Sequence, residues 1–176
     1  RAGPCHAPLV EELAWVNRYR EAWSVAPYPP TFVTADAVVV RGERVLLIRR
    51  GGHPGLGLWA LPGGFVEQDE FVVDAAIREL GEETALAVSE ADLRKVMGPT
   101  RVYDAPFRDM RGRVITHAAL FRLDPALATP DARAADDAAD ARWFDIADLR
   151  RDQMFGDHFS IIQGLLRAEA DGRGDA

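Results

Sequence analysis

Apolar and polar residues follow two different spacings along this chain, and the change of spacing separates predicted helices from predicted strands. Residues 9–25 place apolar side chains at helical intervals and predict an amphipathic helix, which the proline-rich run at 26–30 ends. Residues 31–40 and 44–50 are rich in β-branched side chains and flank a short turn, a pattern that predicts a β-hairpin. This opening part therefore predicts a helix followed by two paired strands.

A second helix is predicted within residues 64–86, where apolar side chains again fall on one side. A glycine-rich loop and a short strand precede it, and a Pro-Gly-Gly run breaks that strand. The later predicted elements are strands at 93–103, 114–123 and 141–144, a polar loop at 126–140, a helical turn at 146–150 and a closing helix at 156–170. This order predicts an α+β protein whose mixed sheet lies between helices in an α/β/α sandwich. Residues 1–30 are predicted as a tail, helix and connector, and residues 31–176 as the main domain.

The composition is typical of a soluble globular protein. The chain has 176 residues, of which 48% are hydrophobic and 28% charged, enough for one domain with a sizeable core. The net charge of −7 argues against a nucleic-acid partner, and no apolar run is long enough to predict a membrane span. The single cysteine, Cys5, excludes an internal disulfide and fits a reducing compartment, so the expected location is cytoplasmic.

Three glutamates occupy one side of the predicted second helix. Glu79, Glu82 and Glu83 stand at i, i+3 and i+4, so their side chains share a face. Like charges at this spacing oppose one another by about 0.2–0.5 kcal/mol per pair, and carboxylates near a helix C-terminus also oppose the helix dipole. A divalent cation relieves both effects, and carboxylate oxygens favour Mg²⁺, with Mn²⁺ as the alternative ion. Taken alone, the cluster is equally typical of a solvated acidic face.

The residues around these glutamates resemble the signature of the Nudix hydrolases, G-x(5)-E-x(7)-R-E-U-x-E-E-x-G-U, in which U is a bulky aliphatic residue. The matching residues are Gly64, Glu70, Arg78, Glu79, Leu80, Glu82, Glu83 and Leu86. Ala85 stands where the family has its last glycine, a position that serves the turn leaving the helix. The resemblance implies a Nudix fold and hydrolysis of a phosphoanhydride that joins a nucleoside diphosphate to another group.

The resemblance also implies a metal site. Glu79 and Glu83 are expected to bind the ion, and Glu82 is expected to complete the site or bridge a second ion. A backbone carbonyl near Gly63 and Gly64 is expected to bind metal as well. The glutamate face of the predicted second helix is therefore expected to be the catalytic surface.

Two further roles follow from the same resemblance. Glu70 and Arg78 are expected to pair, which supports the metal site by fixing the loop against the helix. In ADP-ribose pyrophosphatases the catalytic base often comes from a loop before a late strand. The matching acidic residues here are Asp136, Asp137 and Asp140. A glutamate of the signature itself, Glu82, is the competing base.

Sequence outside the signature points to a substrate. Over residues 9–166 the chain resembles the ADP-ribose-hydrolysing Nudix domain of bifunctional nicotinamide-nucleotide adenylyltransferases. The runs that carry this resemblance are APYPPTFVTADAVVV, ALPGGFVEQDE, RGRVITHAALF and MFGDHFSIIQGLL. The HxGH motif of the adenylyltransferase half does not occur, so the chain is expected to be that domain alone or a stand-alone relative. The resemblance implies hydrolysis of ADP-ribose to AMP and ribose 5-phosphate.

Arginines for the diphosphate and aromatic rings for the adenine are the candidate substrate contacts. The candidates are Arg49, Arg50, Arg101, Tyr103, Phe107, Arg111, Arg113 and His117, with Trp59 as a further ring that core packing explains equally well. NADH, a dinucleoside polyphosphate or an oxidised nucleotide stays open as an alternative substrate. A non-catalytic ADP-ribose sensor is a third hypothesis, and a homodimer is the assembly that many relatives suggest.

Overall fold

The sheet is built around strand β1 (Thr31–Arg41), which pairs on both sides. It runs parallel to β6 (Arg113–Leu123) along its whole length and antiparallel to β2 (Arg44–Arg50). Residues 34–40 are all buried, because both faces of the strand are covered. Double coverage explains why this part of the sequence shows a nearly continuous apolar run and little alternation.

The computed structural model describes residues 7–126 and 138–173. Besides β1, β2 and β6, this part contains α1 (Ala7–Ala22), β3 (Trp59–Ala60), β4 (Gly63–Phe65), α2 (Val72–Thr84), α3 (Glu90–Lys95), β5 (Met97–Tyr103), β7 (Ala138–Asp145) and α4 (His158–Arg173). Two short 3-10 turns, Ile146–Asp148 and Arg151–Gln153, precede α4. The strand order is β3-β2-β1-β6-β5, with β4 paired to β1 and β7 paired to β2.

Two apolar cores lie on opposite faces of the sheet. Val39 belongs to a cluster with Leu80 of α2, whereas its neighbour Val38 belongs to a cluster with Ile161 of α4. Adjacent residues of a strand point to opposite faces, so β1 serves both cores at once. The predicted α/β/α arrangement with a mixed sheet is confirmed.

Several boundaries differ from the prediction, and three of them bear on how the elements pair. The strand predicted from residue 93 begins at Met97, because Ser89 caps the short helix α3 by accepting a hydrogen bond from the Asp92 backbone N–H at 3.1 Å. Strand β3 ends before the Pro-Gly-Gly run as predicted, but the two glycines of that run begin strand β4, whose residues pair with Thr34–Asp36 of β1. Strand β7 begins at Ala138 and not at residue 141, because it continues its pairing with β2.

Helix α1 packs on the glycine-rich loop at 51–57. One oxygen of Glu12 accepts a hydrogen bond from the Gly55 backbone N–H at 2.6 Å, and the other lies 2.5 Å from His53 Nδ1. Val16 is buried on the same helix. The boundary placed at residue 30 stays a prediction. No helix in the described ranges combines the length and apolarity that a membrane crossing requires.

Candidate active site

A cleft of about 380 Å³ lies where α2, β4 and the N-terminal end of α4 meet. Its charged side chains are Asp36, Arg50, Glu67, Arg78, Glu79, Glu83, Arg108, Asp109, Arg111 and Asp157. Acidic and basic groups therefore line the same space, which suits a ligand that carries phosphate groups together with a cation.

The carboxylates of α2 rest directly on the backbone of β4. Glu83 accepts a hydrogen bond from the Gly63 N–H at 2.8 Å, and Glu83 is buried. A Cβ built on Gly64 would stand 2.3 Å from Oε1 of Glu79, so only glycine admits this carboxylate. Glu79 and Glu83 are one helical turn apart and both line the cleft. The signature glycine is thus explained by close approach of a side chain to the backbone.

Arg78 holds the loop before α2 against the helix. Its guanidinium donates hydrogen bonds to Glu70 at 2.7 Å, to Glu79 at 2.8 Å and to Glu82 at 2.9 Å. It also reaches the carbonyl oxygen of Phe65 at 3.2 Å. The hydrogen bonds from Arg78 lower the pKa of Glu70. The hydrogen bonds that Arg78 makes to Glu70, Glu79 and Glu82 raise the pKa of Arg78. The expected pair of Glu70 and Arg78 is therefore present as part of a larger network.

Replacing Arg78 by alanine tests whether this network supports the fold. The Arg78→Ala protein is expected to lose about 1–3 kcal/mol of unfolding free energy, because three carboxylates lose their donor together. Its rate should fall as well. Arg150→Ala is the matched control, since Arg150 pairs with Asp152 on the exposed surface. Thermal unfolding decides the point: an unchanged midpoint with lost activity would give Arg78 a direct phosphate-binding role.

Glu82 is more exposed than the other two glutamates. Its side chain is 45% exposed, and it does not line the cleft. Within the described ranges no three His, Cys, Asp or Glu side chains are grouped as a metal-ligand set. One guanidinium nitrogen of Arg78 donates to both Glu79 and Glu82. The role expected of Glu82 in metal binding and catalysis stays a prediction.

Buried polar groups form the floor of the cleft. Asp36 accepts a hydrogen bond from the Thr116 hydroxyl at 2.5 Å, and both residues are buried. Nδ1 of His158 accepts a hydrogen bond from the Leu61 N–H at 3.0 Å, which places the proton of the neutral ring on Nε2. Burial lowers the pKa of His158, while the nearby charges of Asp36 and Asp157 oppose that shift. The neutral ring of His158 is therefore part of the floor of the cleft.

Two arginines of the β5–β6 connection are held in place by aspartates. Arg108 donates to both oxygens of Asp157 at 2.7 and 2.9 Å, which joins this connection to the start of α4. Arg111 donates to Asp109 at 2.7 Å. Burial would raise the pKa of Asp109, but the hydrogen bonds and charge of Arg111 outweigh it and the pKa is lowered. Both guanidinium groups thus reach the cleft in fixed positions.

The structure brings about half of the sequence-predicted site residues together. Gly63, Gly64, Arg78, Glu79 and Glu83 line the cleft with Arg50 and Arg111, and Glu70 joins them through Arg78. Arg50 is also anchored, because it donates to the Pro54 carbonyl at 2.6 Å and lies 4.4 Å from the Phe155 ring centre. The carboxylate face and two of the five predicted arginines are thus in one place.

Other predicted contacts lie outside the cleft lining. Arg101 donates a hydrogen bond to the Gly164 carbonyl at 3.3 Å. The Tyr103 hydroxyl donates one to the Ile161 carbonyl at 3.2 Å, so both side chains face α4. Phe107 is 97% exposed. His117 lies on β6, between β1 and β5. These four residues therefore do not line the cleft, whereas Arg111 of the same stretch does.

Two more predicted arginines and one predicted aspartate also lie outside the cleft lining. Arg49 donates to the Gly57 carbonyl at 3.1 Å, and Arg113 donates to the Asp104 carbonyl. Neither residue lines the cleft. Asp140 lies within β7 and pairs with Arg142 at 2.5 Å, also away from the cleft. Asp136 and Asp137 lie outside the described residues, so their expected role as base stays a prediction.

Among the cleft residues that sequence reasoning missed are Arg108, Asp109, Asp157 and His158. They come from two loops that are far apart in sequence, so local spacing cannot connect them. The run MFGDHF, which contains Asp157 and His158, carried part of the broader resemblance but gave neither residue a role. The alternation of basic and acidic residues in RDMRGR was the one local signal for the other pair.

The sheet between helices and the signature helix at the edge of a charged cleft define a hydrolase of the pyrophosphate-cleaving type. Residues 30–165 match the family described as the NUDIX domain. The chain therefore belongs to the Nudix family, as its signature predicted.

Several relatives of the chain within the family have names that include ADP-ribose. The chain is 38% identical to the ADP-ribose pyrophosphatase of Methanocaldococcus jannaschii over 77% of this chain and 73% of that protein. A crystal structure of the bifunctional NMN adenylyltransferase/ADP-ribose pyrophosphatase of Francisella tularensis, complexed with AMP and a manganese ion, superposes with a TM-score of 0.90 and 40% identity. That match covers 94% of this chain and 50% of the bifunctional protein, so the chain spans about half its length.

A third similar structure contains ADP-ribose. The Nudix domain of NrtR from Shewanella oneidensis, solved in complex with ADP-ribose, superposes with a TM-score of 0.66 and 25% identity. The match covers 89% of this chain and 97% of that domain. The expected resemblance to ADP-ribose pyrophosphatases and to the bifunctional protein is confirmed.

Proposed function

We propose that the chain hydrolyses the diphosphate bond of ADP-ribose, giving AMP and ribose 5-phosphate, with a divalent cation at the cleft. The observation that carries this proposal is the contact of Glu79 and Glu83 with the Gly63–Gly64 backbone, in the same cleft as Arg50 and Arg111. The similarity to an ADP-ribose pyrophosphatase over most of the chain supports ADP-ribose as the substrate.

The residues of the cleft fit a hard divalent cation. Glu79, Glu83 and a carbonyl of Gly63 or Gly64 offer only oxygen donors, and the backbone cradle admits the Glu79 carboxylate because Gly64 has no Cβ. Mg²⁺ is commonly held by one or two protein carboxylates, with water and substrate phosphate in the remaining positions. A bound ion of this kind neutralises charge on phosphate oxygens and lowers the pKa of a coordinated water. We assign Mg²⁺ to this site, with Mn²⁺ as the alternative.

The chain's own residues bind and orient the substrate. Arg50 and Arg111 line the cleft, where their positive charge suits diphosphate oxygens. Arg78 fixes the position of the Glu79 carboxylate, so little reorganisation is needed when the substrate binds. The hydrogen-bonded floor of Asp36, Thr116 and His158 keeps this part of the site rigid.

The general base is proposed to come from the loop that carries Asp136 and Asp137. Neither Asp140 nor Glu82, the other candidates, lines the cleft. A hydrolase of this type needs a group that orients the attacking water and accepts its proton. Replacing Asp136 and Asp137 singly by asparagine tests the assignment through the change in kcat.

The partner proposed for the chain is therefore a nucleotide of low molecular weight. A homodimer, an absence of nucleic-acid binding and a cytoplasmic location stay predictions. A sensor without activity is the second candidate, because the similar NrtR domain was solved in complex with ADP-ribose. The carboxylate pair at the cleft favours the enzyme, because binding of ADP-ribose alone has no need for it.

Substrate kinetics test the proposal. We expect kcat/KM for ADP-ribose to exceed that for any common nucleoside triphosphate by at least about tenfold, a difference of about 1.4 kcal/mol in transition-state binding. The main reason is the similarity to an ADP-ribose pyrophosphatase. The greater negative charge that a triphosphate brings to a chain of net charge −7 is a supporting reason. NADH, a dinucleoside polyphosphate and an oxidised nucleotide complete the panel. A triphosphate that matched ADP-ribose would contradict the substrate, and ADP-ribose binding without turnover would support the sensor.

A further inference from the structure

A second pocket of about 360 Å³ lies beside the active-site cleft. We call it the connector pocket, because the end of α1 and the connector to β1 form much of its wall. Its principal lining residues are Trp23, Pro29, Pro30, Phe32, Arg111 and Arg113. Rings and proline carbons supply apolar surface, and the two arginines supply positive charge, a combination that suits a planar base linked to phosphate.

The connector pocket is continuous with the cleft through shared side chains. Arg111 lines both spaces, and its guanidinium carbon lies 5.0 Å from the centre of the Phe65 ring, which also lines the cleft. The ring centres of Phe65 and Phe32 are 5.7 Å apart, and those of Phe32 and Trp23 are 5.1 Å apart. A row of contacts therefore leads from the diphosphate-binding arginine to the exposed indole of Trp23.

We propose that the connector pocket receives the nucleobase of the substrate, with Trp23 and Phe32 as the rings that contact it. This inference rests on the proposed function, because the diphosphate in the cleft is what brings the base to the pocket. Arg111 lies at the junction and binds the phosphate next to the nucleoside. The ribose 5-phosphate end of the substrate then lies on the other side of the diphosphate.

The aromatic residues predicted from sequence to contact the base are placed elsewhere. Tyr103 is bound to the Ile161 carbonyl at 3.2 Å, and the Trp59 ring packs 4.6 Å from that of Phe144. Phe107 lies outside the lining of both spaces. Among the aromatic residues that the structure describes, Trp23 and Phe32 are the ones that line the connector pocket.

The location of Trp23 gives α1 and the connector a role in specificity. The residue precedes the segment that matches the family, which begins at residue 30. Trp23 is 44% exposed, so it offers a ring face to a ligand without being part of the core. The structure thus assigns part of the base recognition to a residue that precedes the family match, together with Phe32 inside it.

Binding of the two reaction products tests this proposal without turnover. AMP carries the base and ribose 5-phosphate does not, so calorimetric titration of each compound separates the two ends of the site. Trp23→Ala is expected to weaken AMP binding at least about tenfold, or about 1.4 kcal/mol, as expected for one base stacked on an aromatic ring. Binding of ribose 5-phosphate is expected to stay unchanged. Tyr28→Ala is the matched control, because Tyr28 is an exposed ring of the same connector that does not line the pocket.

A second variant keeps the test independent of folding. Ser24→Trp adds a ring at a lining position of the connector pocket and removes nothing from the core, so it should weaken AMP binding as Trp23→Ala does. Unchanged AMP affinity in both folded variants would overturn the proposal, as would equal losses for AMP and ribose 5-phosphate. An absence of ADP-ribose turnover by the wild-type protein would instead contradict the proposed function, while the AMP titrations would still report on the pocket.

Discussion

Glu83→Gln is expected to lower kcat for ADP-ribose at least about a hundredfold, which corresponds to about 2.7 kcal/mol of transition-state stabilisation. Glutamine keeps a side-chain oxygen that accepts the hydrogen bond from the Gly63 N–H, so the contact between α2 and β4 survives. What is lost is the negative charge next to the expected cation. The effect should therefore be on activity and on metal affinity, with the fold retained.

Three measurements separate these outcomes. Circular dichroism and the thermal midpoint verify folding, steady-state kinetics give kcat, and titration with Mg²⁺ or Mn²⁺ reports metal affinity. Glu90→Gln is the matched control, because Glu90 is an exposed glutamate of α3 that pairs with Arg94 and does not line the cleft. Near-normal turnover of folded Glu83→Gln protein at saturating Mg²⁺ would remove Glu83 from the metal site. Glu82→Gln in the same series measures the role of the glutamate outside the cleft.

Gly64→Ala is expected to abolish most of the activity while leaving the protein folded. The new Cβ would fall 2.3 Å from Oε1 of Glu79, and the carboxylate must move away because it is the end of a flexible side chain. Displacement of a catalytic group by about 1 Å lowers rates by about a hundredfold, and we expect a loss of at least that size. The unfolding midpoint should change little, because the movement affects a side chain and not the backbone.

Gly81→Ala is the control for this substitution. Gly81 lies on the same helix, and a Cβ there meets nothing within 4 Å, so activity should be retained. Alanine is the better helix former by about 0.5–1 kcal/mol, so stability should rise slightly. Gly63→Ala gives the contrast, because its Cβ would stand 2.3 Å from the Ala35 carbonyl, and the backbone would have to shift. Full activity of Gly64→Ala would show that the position of Glu79 is unimportant.

The carboxylate helix could be predicted because its information is local. The spacing of Glu79 and Glu83 fixes their common face, and the apolar residues of the same helix fix which side is buried. The structure also shows the backbone conformation at the one position that departs from the signature. Ala85 takes the left-handed conformation with φ 45°, which confirms that this position serves the turn leaving the helix.

The remainder of the cleft could not be predicted because it is assembled from distant segments. Asp36 and Thr116 are neighbours only because β1 and β6 run in parallel, a pairing that sequence periodicity does not specify. Arg101 and Tyr103 were predicted to contact the substrate, and they lie outside the cleft lining for a different reason. They point to one face of β5 because they are two residues apart, and that face turned out to pack against α4.

The product balance of ADP-ribose turnover by the wild-type protein with Mg²⁺ is the most direct test of the proposed function. We expect AMP and ribose 5-phosphate in equal amounts, no reaction when a chelator removes the ion, and recovery when Mg²⁺ is restored. We also expect Glu83→Gln protein to form these products at least about a hundredfold more slowly. Bound ADP-ribose that stays intact, or products from cleavage at any bond other than the diphosphate, would contradict the proposed function.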